Sequence, residues 1–209
     1  MKRIRFVFRL VHIQNIPHIL RYGIVESNSI NRNPDYVSIG DNTMIEARRE
    51  QKIPKTSKRI GDFIPFYFGP RSPMLYTIQH GYNDVTRRRP EDLVYCVIRI
   101  DDIIHSGLSG YFTDGHARNV RTKFYSIEQQ LENIDHLISY EDIFRDKWGN
   151  NDDNSGEWKR RKSAELLLEE DLPPSFICGF VVYNNQAKQK LLSFGIEPEK
   201  IEIRPSYYF

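Results

Sequence analysis

Residues 93–100 read LVYCVIRI, a run that is apolar almost throughout. A strand without polar alternation has both faces covered, so this segment belongs at the centre of a sheet. The rest of the chain must then supply the strands beside it and the layers above and below. The means are present. At 209 residues the chain suits one domain, or one domain carrying large insertions. Twelve Tyr and twelve Phe argue against disorder.

Other strands follow from local pattern. Residues 4–11 alternate apolar and basic side chains, as in a half-buried strand. FIPFYF, at 63–68, is an aromatic strand whose proline places it at an edge or a bulge. YVSIG (36–40) reads as a short strand, 163–168 and 176–184 as two more, and IEIRPSYYF closes the chain as a strand. Helices are signalled by their caps. Asn15 begins NIPHILRYG, with Pro17 in its first turn and Gly23 at its end. Asp41 begins a helix through Arg48 and Arg49, and SPMLYTI starts a short one. Ser126 opens SIEQQLENIDHLI, and Asn184 caps a helix that ends at Gly195. Between 101 and 158 the strands are short and the loops long, with GNNDDNSG as a connector. The sum is a single α+β domain, 1–209, with antiparallel strands and a long insertion before residue 165.

Charge is clustered although the net is only +2. Arg87-Arg88-Arg89 is one basic run and Lys159 to Lys162 is another, and such clusters suit a polyanionic partner. The second run leads into Glu165 and three leucines, which puts a carboxylate where an apolar core meets basic surface. His12 follows the first strand, Arg48 ends the second helix, and Glu165 opens a late strand. NVRTKFY, at 119–125, interleaves Arg121 and Lys123 with Phe124 and Tyr125, the mixture a single-strand groove uses. No phosphate loop, dinucleotide fingerprint or serine elbow occurs. His, Cys and carboxylates lack zinc spacing, so no metal is expected, and Asp114 and His116 in FTDGHA read as a tight polar turn. Cys96 and Cys178 sit in apolar runs, as small core residues of a reducing cytoplasm. No apolar run reaches ~18 residues, and the basic start is read as a first strand, not a signal peptide.

Several blocks stand in an order that resembles the DarT family, bacterial toxins that ADP-ribosylate DNA. They are FRLVHIQNIPHIL (8–20), YVSIGDNTMIEARR (36–49), GDFIPFYFGPRSPMLYTI (61–78), GYFTDGHA (110–117) and KSAELLL (162–168). The resemblance covers nearly the whole chain. It implies an ADP-ribosyltransferase fold with a split antiparallel sheet, NAD as co-substrate, and transfer of ADP-ribose to a base in single-stranded DNA. Thymine and guanine are both compatible. By position, Glu165 matches the catalytic glutamate, Arg48 the functional arginine (with Arg49 one place along), and His12 an NAD-binding histidine. Asn15, Tyr67 and Phe68 are expected with His12 and Arg48 at the NAD. Residues 118–162 correspond to the region that receives DNA, with Arg121, Lys123, Tyr125, Lys159, Arg160 and Arg161 as contacts. A macrodomain antitoxin is the partner the family implies, and the cytoplasm the compartment.

The chemistry suits these residue types. Breaking the nicotinamide–ribose bond creates an oxocarbenium-like centre, which a carboxylate stabilises. A guanidinium fork can clamp a pyrophosphate or order the target base. Along the aromatic strand either Phe66 and Phe68 or Tyr67 faces the cleft. Two other readings remain: transfer to protein or RNA, and a nucleic-acid-binding module without enzymatic activity.

Overall fold

A computed structural model describes residues 2–149 and 156–209, so most of the GNNDDNSG connector lies outside the described residues. Among the described residues there are eight strands: β1 (Phe6–His12), β2 (Ile64–Tyr67), β3 (Leu93–Arg99), β4 (Gly110–Thr113), β5 (Phe124–Ser126), β6 (Glu165–Leu168), β7 (Ile177–Val182) and β8 (Ile201–Ile203). They form one sheet in the order β5-β4-β6-β2-β1-β3-β7-β8. Every pairing is antiparallel except β7 with β8. The helices are short: α1 (Ile16–Tyr22), α2 (Asn42–Glu50), α3 (Pro73–His80), α4 (Ile100–Ile104), α5 (Ile127–Gln130), α6 (Ile134–Leu137), α7 (Tyr140–Ile143), α8 (Glu157–Lys162) and α9 (Asn185–Ser193).

The sheet is split at its middle. β1 and β3 pair along seven positions, from Phe6 opposite Arg99 to His12 opposite Leu93. β1 and β2 meet only where Phe8 faces Tyr67. Pro65 explains part of this, because it has no N–H for a ladder. Its carbonyl is taken by a side chain, Arg9 Nη1, at 2.8 Å. The aromatic strand therefore lies inside the sheet, not at an edge; its proline is tolerated because it borders the seam.

Strand alternation sorts the core. One face carries Val7, Val11, Val94, Cys96, Phe66, Phe112, Leu166 and Leu168 in the largest cluster. The other face carries two smaller clusters, one around Phe8, Leu10, Leu93 and Tyr95, the other around Ile53, Ile60, Phe63, Ala117 and Leu167. Tyr67 and Glu165 stand between these two clusters, opposite each other in the β2–β6 register.

Four local expectations change. YVSIG forms no strand; the Asn15 side-chain amide donates to Val37 O and accepts from Val37 N–H, each at 2.9 Å. That same engagement means Asn15 does not cap α1 through its side chain. The helix over 126–138 breaks into α5 and α6 around a 3₁₀ turn, Leu131–Asn133, although Ile127, Leu131, Ile134 and Ile138 are buried as the spacing requires. The chain end is strand only over Ile201–Ile203, and Pro205 then opens a 3₁₀ turn. The caps at Asp41 and Asn184 form as expected, accepting from Met44 N–H at 3.1 Å and Ala187 N–H at 3.0 Å.

Candidate active site

Glu165 opens β6 and its side chain has no solvent exposure. Burying a carboxylate is costly unless it is paired and hydrogen-bonded. The GYFTDGHA segment supplies part of the compensation. Ala117 N–H donates to Glu165 Oε1 at 3.0 Å. Glu165 N–H donates to Thr113 Oγ1 at 3.0 Å, and that hydroxyl donates to Gly115 O at 2.7 Å. The polar turn anticipated at Asp114 and His116 is thus the socket of the carboxylate.

The charge partner comes from α2. Arg48 Nη1 lies 2.8 Å from Glu165 Oε2. A close backbone contact behind α2 fixes which arginine turns inward. A Cβ at Gly61 would lie 2.8 Å from Arg49 Cα, so only glycine lets the following turn pack so tightly on the helix. Arg49 is exposed. Gln51, just beyond the helix, takes the Arg118 guanidinium at 3.2 Å, which ties α2 to the loop that holds Glu165.

The pair is not saturated. Glu165 Oε2 and Arg48 Nη2 are both buried and neither has a hydrogen-bond partner among the described residues. The 2.8 Å contact is an ion pair without hydrogen-bond alignment. Such orphaned atoms are uncommon in folded proteins and point to a ligand or a catalytic role.

Of Phe66, Tyr67 and Phe68, Tyr67 is the residue on this face. Phe66 and Phe68 are fully buried in the large core, so the expectation of Phe68 at the NAD is corrected by strand alternation. The Tyr67 hydroxyl donates to Met74 Sδ at 3.8 Å, a weak acceptor. Burial, and then the Glu165 charge, push its phenol far above the usual range. His116, not anticipated at the site, stands close enough to feel both charges. Burial pulls its imidazole below the usual value against the opposing effect of Glu165, which keeps the ring neutral. The signal in the sequence was its place in FTDGHA, two residues after Asp114.

His12 lies on the same face but away from this pair. Four residues along β1 separate it from Phe8, the partner of Tyr67, or roughly 13 Å at the usual strand rise. Its Nδ1 accepts from Gln14 N–H at 3.3 Å. Burial, with the Arg88 charge, lowers its pKa, so the ring is neutral and carries its proton on Nε2. A hydrogen-bond donor and a carboxylate held so far apart suit an elongated ligand. Asn15 is buried and spends its amide on Val37, which holds the 36–40 segment beside the His12 end.

The residues expected on DNA divide. Lys123 and Lys159 are exposed, and Arg121 is half-exposed with an ion pair to Glu157 at 2.8 Å. Arg161 is half-exposed too, paired with Asp142 and Glu157 at 3.3 Å. Arg160 is only 7% exposed and is fully engaged by Asp114, Glu157 and Thr122. Tyr125 stacks on Phe112 (centroids 5.1 Å apart), on the face opposite Glu165. Among the described residues no three His, Cys, Asp or Glu side chains gather as a metal-ligand set.

A split antiparallel sheet with a glutamate–arginine pair at its seam defines the class, an ADP-ribosyltransferase fold. The comparisons with known proteins narrow it. A DNA ADP-ribosyl transferase of Escherichia coli O127:H6 is 29% identical over 208 residues, 97% of this chain and 93% of that protein. The structure matches Thermus sp. 2.9 DarT in complex with ADP-ribosylated ssDNA at a TM-score of 0.84 and 27% identity, over all of both chains. The same Thermus protein in complex with NAD+ matches at 0.79 and 25% identity. A Thermosipho africanus DNA ADP-ribosyl transferase–DNA ADP-ribosyl glycohydrolase fusion protein is 27% identical over 195 residues, 90% of this chain and 45% of that protein. Residues 8–209 match the family described as DarT, ssDNA thymidine ADP-ribosyltransferase, and the chain belongs to that family.

Proposed function

We propose that this chain transfers ADP-ribose from NAD+ to a thymine base in single-stranded DNA, with Glu165 at the reacting ribose. The observation that carries the residue assignment is the unsaturated Glu165–Arg48 pair at the seam of the sheet. The nicotinamide–ribose bond breaks with its electron pair leaving on nicotinamide, and a base nitrogen then bonds the ribose carbon and gives up its proton. Glu165 stabilises the cationic sugar between these events and takes up that proton. Its Oε1 is held by Ala117 N–H, which leaves Oε2 for the ligand. Arg48 orders the carboxylate and presents its free Nη2 to the acceptor base. Tyr67 offers a ring face to the nicotinamide, and His12 Nε2–H a donor to the distant ribose.

A base reaches a buried carboxylate only when unstacked, which favours single-stranded acceptors. Of the cations expected on DNA, Lys123 and Lys159 are exposed, and Arg121 and Arg161 are half-exposed within their ion pairs. The fused glycohydrolase of the Thermosipho relative supports the further reading that this chain is a toxin whose modification a macrodomain partner reverses. No helix among the described residues is long and apolar enough to cross a membrane. Two free thiols and a DNA substrate support the reading that it works in a reducing cytoplasm.

Mass measurement tests the assignment. Incubation with NAD+ and mixed single strands is expected to add one ADP-ribose to thymine-containing oligonucleotides. Glu165→Gln keeps the Ala117 hydrogen bond but removes the charge, and should lower the rate by ~10²–10³-fold or more. A thymine strand left unmodified by folded protein would sink the activity; full rate in Glu165→Gln would sink the residue assignment.

A further inference from the structure

One basic run touches the site described above only through the Arg88 charge felt by His12. Arg87, Arg88 and Arg89 follow α3, which starts beside the site, where Met74 touches Tyr67. Along that helix Tyr76 and His80, four residues apart, put their rings on one exposed face 4.1 Å between centroids. Tyr82, half-exposed, lies parallel to His80 with an interplanar angle of 3° and 5.5 Å between centroids. Phe209 and Trp148 complete the patch, at 5.0 and 6.2 Å from Tyr76. Isolated surface rings need no explanation, but three exposed rings in contact, backed by the part-buried Phe209 and Trp148, do.

Cations border these rings. Arg71 lies 4.5 Å from the Phe209 ring centroid. Arg87 is folded over the turn between His80 and Tyr82: a Cβ on Gly81 would be 3.2 Å from Arg87 Cβ, and Arg87 Nε donates to Gln79 O at 3.1 Å. Lys147 is exposed next to Trp148. The local carboxylates only partly offset them. Asp146 pairs with Arg71, Glu91 and Asp92 pair with Arg89, and Asp84 is exposed in the same turn as Tyr82. Arg87 and Lys147 remain as cations beside the rings.

We propose that this aromatic–arginine patch is a second single-stranded DNA surface, a stacking platform for nucleotides that flank the modified base. It rests on the DNA reading above. Rings that accept any base, bordered by cations that follow a backbone, bind a strand without reading its sequence. Along α3, Tyr76 and His80 are two and six residues beyond Met74, roughly 3 and 9 Å along the helix axis from the Tyr67–Met74 contact, and Trp148 walls the patch. A strand with its acceptor base at Glu165 can therefore continue onto it, and the charge selects a polyanion over an apolar protein face.

The test compares strand lengths. Transfer is measured on a short thymine oligonucleotide of ~5 nucleotides and on strands extended by ~10 nucleotides on either side, with wild type, Tyr82→Ala, Tyr82→Phe and Arg87→Ala. KM for one of the extended strands is expected to be lower in wild type, by ~10-fold or more. Tyr82→Ala should remove most of that advantage while leaving the short strand within ~2-fold, and Tyr82→Phe, which keeps the ring, should restore it. Arg87→Ala should flatten the salt dependence for the long strand by ~0.7 in the logarithmic slope. Equal KM for short and long strands, or a length advantage unchanged in Tyr82→Ala, overturns the platform while the activity stands. Absence of transfer to any strand is instead the failure of the activity itself.

Discussion

The two basic runs read alike in sequence and are used in opposite ways. In Lys159 to Lys162 alternate residues turn inward: Arg160 and Lys162 are 7% and 2% exposed, while Lys159 and Arg161 face out. In Arg87 to Arg89, Arg87 and Arg89 are exposed and Arg88 is partly covered. Supply of acceptors makes the difference. Around α8 lie Asp114, Glu157, Thr122 and the carbonyls of Pro70 and Ile143, and each receives a hydrogen bond from Arg160 or Lys162. A charge so well satisfied can be buried; an arginine with one carbonyl partner stays at the surface. The buried run also fastens the segments that line Glu165. Arg160 holds the 114–122 loop, and Lys162 joins the turn at Pro70 to the end of α7. It builds the wall of the site, and the exposed run offers charge.

Removal of Arg160 should give the largest contrast. Arg160→Ala takes a buried partner from Asp114, Glu157 and Thr122 at once; Glu157 keeps Arg121 and Arg161 and Asp114 keeps Lys123 N–H, so the loss should cost ~2–3 kcal/mol. Gly115 has adapted to this guanidinium: a Cβ there would be 2.4 Å from Arg160 Nη1. Urea denaturation should register the loss, and ADP-ribose transfer should fall with it, because the loop that gives Ala117 N–H to Glu165 is loosened. A cost below ~1 kcal/mol would break the distinction between the two runs.

Lys162 gives a pH-dependent version of the same contrast. Its amine donates to Ile143 O at 2.7 Å and Pro70 O at 3.0 Å, and burial, followed by the Arg71 charge, pushes its pKa down from 10.5 to about 8. Below pH ~8 the amine is charged in both folded and unfolded chains and the folded state bears the full cost of burying it. Between about 8 and 10.5 the unfolded chain holds more protons, so stability rises with pH, by up to ~3 kcal/mol for a shift of this size. Lys162→Met should lose this slope. The stability difference between wild type and variant, followed by denaturation from pH 7 to 10, is expected to move in favour of wild type. A flat difference would mean that the amine is not held out of water.

Much of the framework was legible from pattern. LVYCVIRI is the interior strand β3, Asp41 and Asn184 cap the helices assigned to them, and Glu165 opens its strand. What escaped depends on partners remote in sequence. The interior place of FIPFYF rests on Arg9 capping a proline carbonyl across the seam, 56 residues away. Asn15 looked like a cap because its competing partner, Val37, lies 22 residues on. Tyr67 could be separated from Phe66 and Phe68 only once the cores on both faces were known. The Arg48–Glu165 pair spans more than a hundred residues, and the resemblance to a family, not the spacing, brought the two together in advance. The basic run before Glu165 was misleading for the same reason, since composition records charge and not the acceptors that meet it.

The smallest effects sharpen the comparison most, because they set its floor. Arg161 has two carboxylate partners, as Arg160 does, yet each of its partners has another cation. Asp142 keeps Arg145 at 3.1 Å, and Glu157 keeps Arg160 at 3.0 Å and Arg121 at 2.8 Å. Arg161 is also half in water, where an ion pair is worth ~0–1 kcal/mol and is screened by salt. Arg161→Ala should therefore cost under ~1 kcal/mol, a loss that fades in 1 M salt, and Arg87→Ala should stay within ~0.5 kcal/mol. Denaturation of both variants beside Arg160→Ala, at low and high salt, checks the ordering. If Arg161→Ala destabilises the fold as much as its neighbour does, redundancy of partners is not what separates a structural arginine from a spare one. α8 would then act as a single unit in which every charge holds the wall around Glu165.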